Sequence, residues 1–140
     1  MRVVLDSSVL VAALRSKRGA SFRLITLLRK GRFEIALSVP LALEYEAVLV
    51  RHAKELGLAR DEADGLVDYV CGVAYRQAIH FLWRPTLTDP DDEFILELAV
   101  AGRARAIVTH NVRHFVGVER FGIEVLTPRQ FLERIEKEPV

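Results

Sequence analysis

The sequence predicts an α/β fold, a three-layer α/β/α sandwich around a central parallel sheet of about five strands. Two observations lead there. Short apolar segments, mostly bounded by Gly, polar or charged residues, recur at 2–5, 33–37, 79–82, 106–109 and 123–126, which is the signature of buried strands. The intervals between them carry helical periodicity, and strands separated by helices imply a parallel sheet covered on both faces. No internal repeat, low-complexity tract or linker rich in Pro, Gly or Ser divides the 140 residues, so a single domain over 1–140 is expected.

The elements follow in order. After the first strand a helical region begins near Ser7 and breaks around Gly19; Phe22, Ile25 and Leu28 then mark a second amphipathic helix that ends at Gly31. Ser38 stands as an N-cap before Pro40, a residue tolerated in a first turn, and opens a helix through about Leu56. Residues 61–76 form a further helix, on which Val67, Val70, Cys71 and Ala74 share a face, so Cys71 is expected as a packed core thiol. Asp89-Pro90-Asp91-Asp92 starts a helix that runs to Gly102. Thr127-Pro128 starts the last, with Phe131, Leu132 and Ile135 as its buried face.

Composition narrows the function classes. Arg15, Arg23 and Arg29 interrupt the apolar runs before any reaches membrane-spanning length. Only three apolar residues separate Arg2 from Asp6, too few for a signal-peptide core, so a cytoplasmic location is expected. One cysteine cannot form an internal disulfide or supply the thiolate spacings of a zinc site. The net charge of +1 is unevenly spread, because residues 7–33 contain no acid while Arg15, Lys17, Arg18, Arg23, Arg29, Lys30 and Arg32 all fall there.

Four segments carry acids or histidines that a packed fold does not require. In "VVLDSSVLVAAL", Asp6 ends a buried strand, where α/β sheets bind ligands. Helix capping is the alternative, yet Ser7 and Ser8 could cap without a charge. In "SVPLALEYEAVL", Glu44 and Glu46 are each flanked by apolar neighbours, and spacing alone does not choose between them. In "DPDDEFILELAVAG", Asp89 and Asp91 suit a helix start, whereas Asp92 shares a face with Leu96 and Ala99 and points towards the sheet. In "AIVTHNVRHF", His110 and His114 stand at i and i+4, but Asn111 occupies the place of the glutamate in a zinc-protease motif.

Together, in this order and spacing, these segments and the closing "GIEVLTPRQFLE" resemble the PIN domain, most closely the VapC-like toxin ribonucleases of toxin–antitoxin pairs. The resemblance implies that Asp6, Glu44 and Asp92 are the acids that hold Mg²⁺ or Mn²⁺ and carry catalysis. The family's fourth acid commonly follows the strand-ending Thr, where this chain has Asn111, and the further acid often found three residues on is here His114. One ion would still be well held, and a second would have a poorer site. Ser8 could orient Asp6, and Thr109 and Asn111 could hold water or phosphate. The resemblance further implies an RNA substrate, a cognate antitoxin protein and a homodimer. Arg15, Lys17 and Arg18 could rim the cleft and contact RNA phosphates, or pair with an acidic antitoxin tail. A PIN fold kept for RNA binding or protein interaction, with weak or no nuclease activity, is the alternative reading. A phosphohydrolase of haloacid-dehalogenase type would need an acid two residues after Asp6, and Ser8 stands there.

Overall fold

The computed structural model describes residues 1–79, 87 and 90–137, the side chains of residues 90 and 91 excepted. The elements are β1 (Arg2–Leu5), α1 (Ser7–Arg15), α2 (Ala20–Arg29), β2 (Glu34–Leu37), α3 (Val39–Glu55), α4 (Arg60–Val73), β3 (Tyr75–Arg76), α5 (Pro90–Ala101), β4 (Ala106–Val108), β5 (Glu124–Leu126) and α6 (Pro128–Lys137). Two short 3-10 turns, Val112–Phe115 and Val118–Phe121, fill the connection between β4 and β5.

The strands form one parallel sheet in the order β3-β2-β1-β4-β5. Chain order therefore runs outward from β1 to β3, then returns to the other side of β1 at β4. Parallel crossovers are right-handed, so α1 to α4 cover one face of the sheet and α5 the other. After Arg2 the central strands are apolar because both of their faces are covered: Val3, Val4 and Leu5 of β1 and Ala106, Ile107 and Val108 of β4 are fully buried. Each large aliphatic side chain so buried contributes about 1.5–3 kcal/mol.

The helices bury the faces that their periodicity marks. Leu41, Tyr45, Leu49 and Ala53 of α3 recur every four residues and are all buried. On α6, Phe131 and Ile135 are buried and Leu132 is half-buried, and the Phe131 ring meets Phe33 edge-on at 5.0 Å between centroids. Caps form as their residue types dictate. Ser38 accepts a bond from the Leu41 amide, and Thr127 and Gln130 exchange reciprocal bonds that start α6. At the end of α5, a Cβ on Gly102 would lie 3.2 Å from that of Ala36, so a glycine lets this helix approach β2.

The third strand departs from expectation. It is Tyr75–Arg76, not 79–82, and the preceding helix stops at Val73 instead of continuing to Arg76. Ala74 turns extended, and the next residues pair with β2 through Ala36 and Leu37; the Gln77 amide then bonds the Leu37 carbonyl at 2.8 Å. The Arg2 guanidinium lies 3.7 Å over the Tyr75 ring. Residues 80–82 lie outside the described residues, while Ile79 is irregular. Cys71 is half-buried, packed against the edge of the core and lining a groove beside β3 with Leu37, Arg76 and Gln77. Among the described residues no helix is long and apolar enough to cross a membrane.

Candidate active site

Strand order reverses between β1 and β4, so the crevice beyond their carboxyl ends is where an open α/β sheet receives a ligand. The register pairs Leu5 with Val108, which sets the next residues, Asp6 and Thr109, side by side. The Asp6 amide bonds the Val108 carbonyl at 2.9 Å, and the Thr109 amide bonds the Leu126 carbonyl at 2.9 Å.

Asp6 is 6% exposed and its carboxylate does not cap α1. Two hydroxyls hold it instead. Thr109 Oγ1 donates to Asp6 Oδ2 at 2.6 Å and Ser8 Oγ donates to the same oxygen at 2.8 Å. Each hydroxyl also accepts from a backbone amide, Thr109 from Asn111 at 2.9 Å and Ser8 from His110 at 3.1 Å. Those amides fix the direction of both hydroxyl protons, so the carboxylate is the acceptor of a polarised chain. Oδ1 takes no hydrogen bond among the described residues.

Around Asp6 opens a cleft of about 530 Å³ whose walls include Glu44, Asp92, His110, Asn111 and His114. Glu44 comes from the α3 face turned towards β1, while Glu46 is exposed and lines a separate groove on the outer side of that helix. Between them, Tyr45 is buried and its hydroxyl donates to the Leu5 carbonyl. Burial, then the negative charge of Asp6 and of Glu44, push the Tyr45 phenol well above its ordinary range, with Cys71 adding to the effect. Both carboxylates thus act on one buried hydroxyl. Asp92, in the first turn of α5, has a side chain 13% exposed and lies 3.5 Å from His114 Nδ1.

Asp6, Glu44 and Asp92 therefore reach one cleft from three separate elements, and Ser8 and Asn111 join them there. Thr109 is wholly buried behind Asp6. Among the described residues no three His, Cys, Asp or Glu side chains close into a compact metal cage. Of the basic residues singled out from sequence, Arg15 lines the cleft, whereas Lys17 and Arg18 are exposed in the turn after α1 and do not. The two histidines turn to different partners, His110 Nε2 to Ser21 Oγ at 3.2 Å and His114 to Asp92. Asp89 lies outside the described residues.

Two cleft residues able to bind a ligand by charge escaped the sequence reading: Arg51 and His52 of α3. Their signal was present, since positions 44, 48, 51 and 52 follow the helical three-four spacing from Glu44. Without the cleft to define a face, that spacing looks like any solvated helix side.

A family model for the PIN domain matches residues 2–113. The chain belongs to the PIN-domain family. Among solved structures, this PIN domain is similar to one described as the crystal structure of VapBC2 from Rickettsia felis bound to a DNA fragment from their promoter. The match has a TM-score of 0.62 and 16% sequence identity, over 91% of this chain and 98% of that one. At that identity the likeness speaks for the fold. No curated protein matches the sequence.

Proposed function

We propose that this PIN domain is a metal-dependent endoribonuclease and the toxin of a type II toxin–antitoxin pair. The observation that carries the reading is the convergence of Asp6, Glu44 and Asp92, from β1, α3 and α5, on one cleft at the strand-order switch. Three carboxylates are hard oxygen donors, the chemistry that suits Mg²⁺ or Mn²⁺, and an open cleft leaves room for the waters and substrate phosphate such ions keep. When bound, the ion supplies Lewis-acid polarisation of the scissile phosphodiester and activates water as the nucleophile.

The chain's own residues do the positioning. Ser8 and Thr109 saturate Asp6 Oδ2, so Asp6 would hold the ion through Oδ1, oriented before substrate arrives. Glu44 and Asp92 supply the remaining charge. Asn111 offers a neutral carboxamide that donates to a phosphate oxygen or holds a water at the cleft wall.

The toxin assignment is supported by the VapBC2 likeness, a complex whose description also names promoter DNA. The expected partners are an antitoxin protein and a second copy of the chain in the cytoplasm. Val39 and Leu43, large apolar residues exposed on α3, offer a surface for the second copy.

The test is a cleavage assay of purified protein on structured and unstructured RNAs, with magnesium, manganese or chelator. Cleavage that needs the ion and disappears in Asp6→Asn supports the reading. RNA binding without cleavage in either metal would favour the alternative, a PIN fold kept for binding, to which the neutral Asn111 lends some support.

A further inference from the structure

We infer that the cleft continues between α1 and α3 into a subsite for a nucleic-acid backbone phosphate, held by Arg15, Arg51 and His52; this rests on the nuclease reading of the cleft. The two helices pack against each other and both start near the switch point. They leave it in step. Ser8, Val11 and Arg15 line the cleft on α1, and Glu44, Val48 and Arg51 line it on α3. Two helical turns separate each acidic-end residue from its arginine, about 10 Å along the axis. That span matches about three nucleotides of a stacked strand at ~3.4 Å each.

The charge at this far end awaits an anion. Arg15 and Arg51 are the two arginines of the cleft wall, and among the described residues neither forms an ion pair, although three carboxylates share the cleft with them. A planar guanidinium presents paired donors that fit phosphate oxygens. The adjoining His52 ring is fixed, because its Nδ1 donates to the Val48 carbonyl at 2.9 Å, and Nε2 becomes a donor to phosphate only in the imidazolium form. An acidic peptide could meet the same donors, but a strand whose scissile phosphate sits at the carboxylates carries further phosphates at this spacing by construction.

The test uses the full chain in chelator, where cleavage cannot intervene, with fluorescein-labelled octauridylate RNA as one probe and labelled octaglutamate as the other. Arg51→Ala and Arg15→Ala should each weaken RNA binding about three- to tenfold near 0.1 M salt and reduce the slope of log affinity against log salt by about 0.7. Arg51→Lys should restore the slope. Lys54→Ala, on the same helix but outside the cleft, should change neither. Unchanged RNA affinity and slope in the Arg15/Arg51 double variant overturns the subsite, as does an equal loss in Lys54→Ala. Loss of octaglutamate binding with RNA binding intact reassigns the arginines to an acidic protein partner. If RNA binding depends on Arg51 but the wild type cleaves nothing in magnesium or manganese, the subsite stands and the nuclease reading fails.

Discussion

Thr109 Oγ1 donates to Asp6 Oδ2 at 2.6 Å, joining the ends of two neighbouring strands from positions 103 residues apart in the chain. Thr109 is wholly buried, so nothing from solvent can replace its hydroxyl. Thr109→Val keeps the shape and removes the donor. It should cost about 1–3 kcal/mol of stability, the usual penalty for depriving a buried charged acceptor of a partner. Cleavage should fall about 10- to 100-fold, as when a group that orients a metal ligand is lost. Thr109→Ser should recover most of both. Denaturant unfolding and a cleavage assay on the same preparations decide it.

The three carboxylates are expected to act as one set. Asp6→Asn, Glu44→Gln and Asp92→Asn should each lower metal-dependent cleavage at least about 100-fold while leaving far-ultraviolet circular dichroism unchanged. Glu46→Gln should stay within about twofold of wild type, because Glu46 faces away from the cleft. Loss of cleavage in Glu46→Gln with full activity in Glu44→Gln would contradict the α3 register.

Asn111 provides a gain-of-charge test. Asn111→Asp adds a fourth carboxylate to the cleft wall and should tighten manganese binding and lower the metal concentration for half-maximal cleavage, with the preferred RNA unchanged. Calorimetric titration of both proteins measures it. Superimposable metal curves would put residue 111 outside the metal site.

Cys71 reports on the groove beside β3 that Leu37, Val39, Arg76 and Gln77 also line. Burial and then Asp68 raise its thiol above the ordinary value, with Arg76 pulling the other way and Glu46 adding a small push. Alkylation by iodoacetamide should therefore rise with pH around a midpoint higher than in the denatured chain. The sign for stability follows: the folded state favours the neutral thiol, so its contribution is present below the unfolded value and is lost as pH rises through the folded one. Denaturant midpoints of wild type and Cys71→Ser, compared from pH 7 upward, should converge as the thiol ionises.

Most of the frame was legible because it depends on local pattern. Burial on both faces makes β1 and β4 continuous apolar runs, and Ser38 and Thr127 announce their helices by the caps they later form. The third strand was not legible, because Tyr75 and Arg76 continue a helical pattern until pairing with Ala36 and Leu37, far away in sequence, overrides it. The site divides the same way. Asp6 stood out as a charge at the end of a buried strand. Ser8, two residues on, was legible as its partner, but that Thr109 would share the same oxygen depends on the lateral order of β1 and β4, which no local spacing encodes. Arg51 and His52 became visible only once α1 lay beside α3.

The distance in sequence between Asp6 and Thr109 also sets a schedule for how the protein comes to exist. A ribosome that adds about 5–20 residues per second incorporates Asp6 roughly 5–20 s before Thr109. Throughout that interval β1 lacks its β4 neighbour, and the carboxylate lacks the hydroxyl that orients it. A nascent chain therefore lacks this hydroxyl-held carboxylate until β4 has been made and has paired with β1.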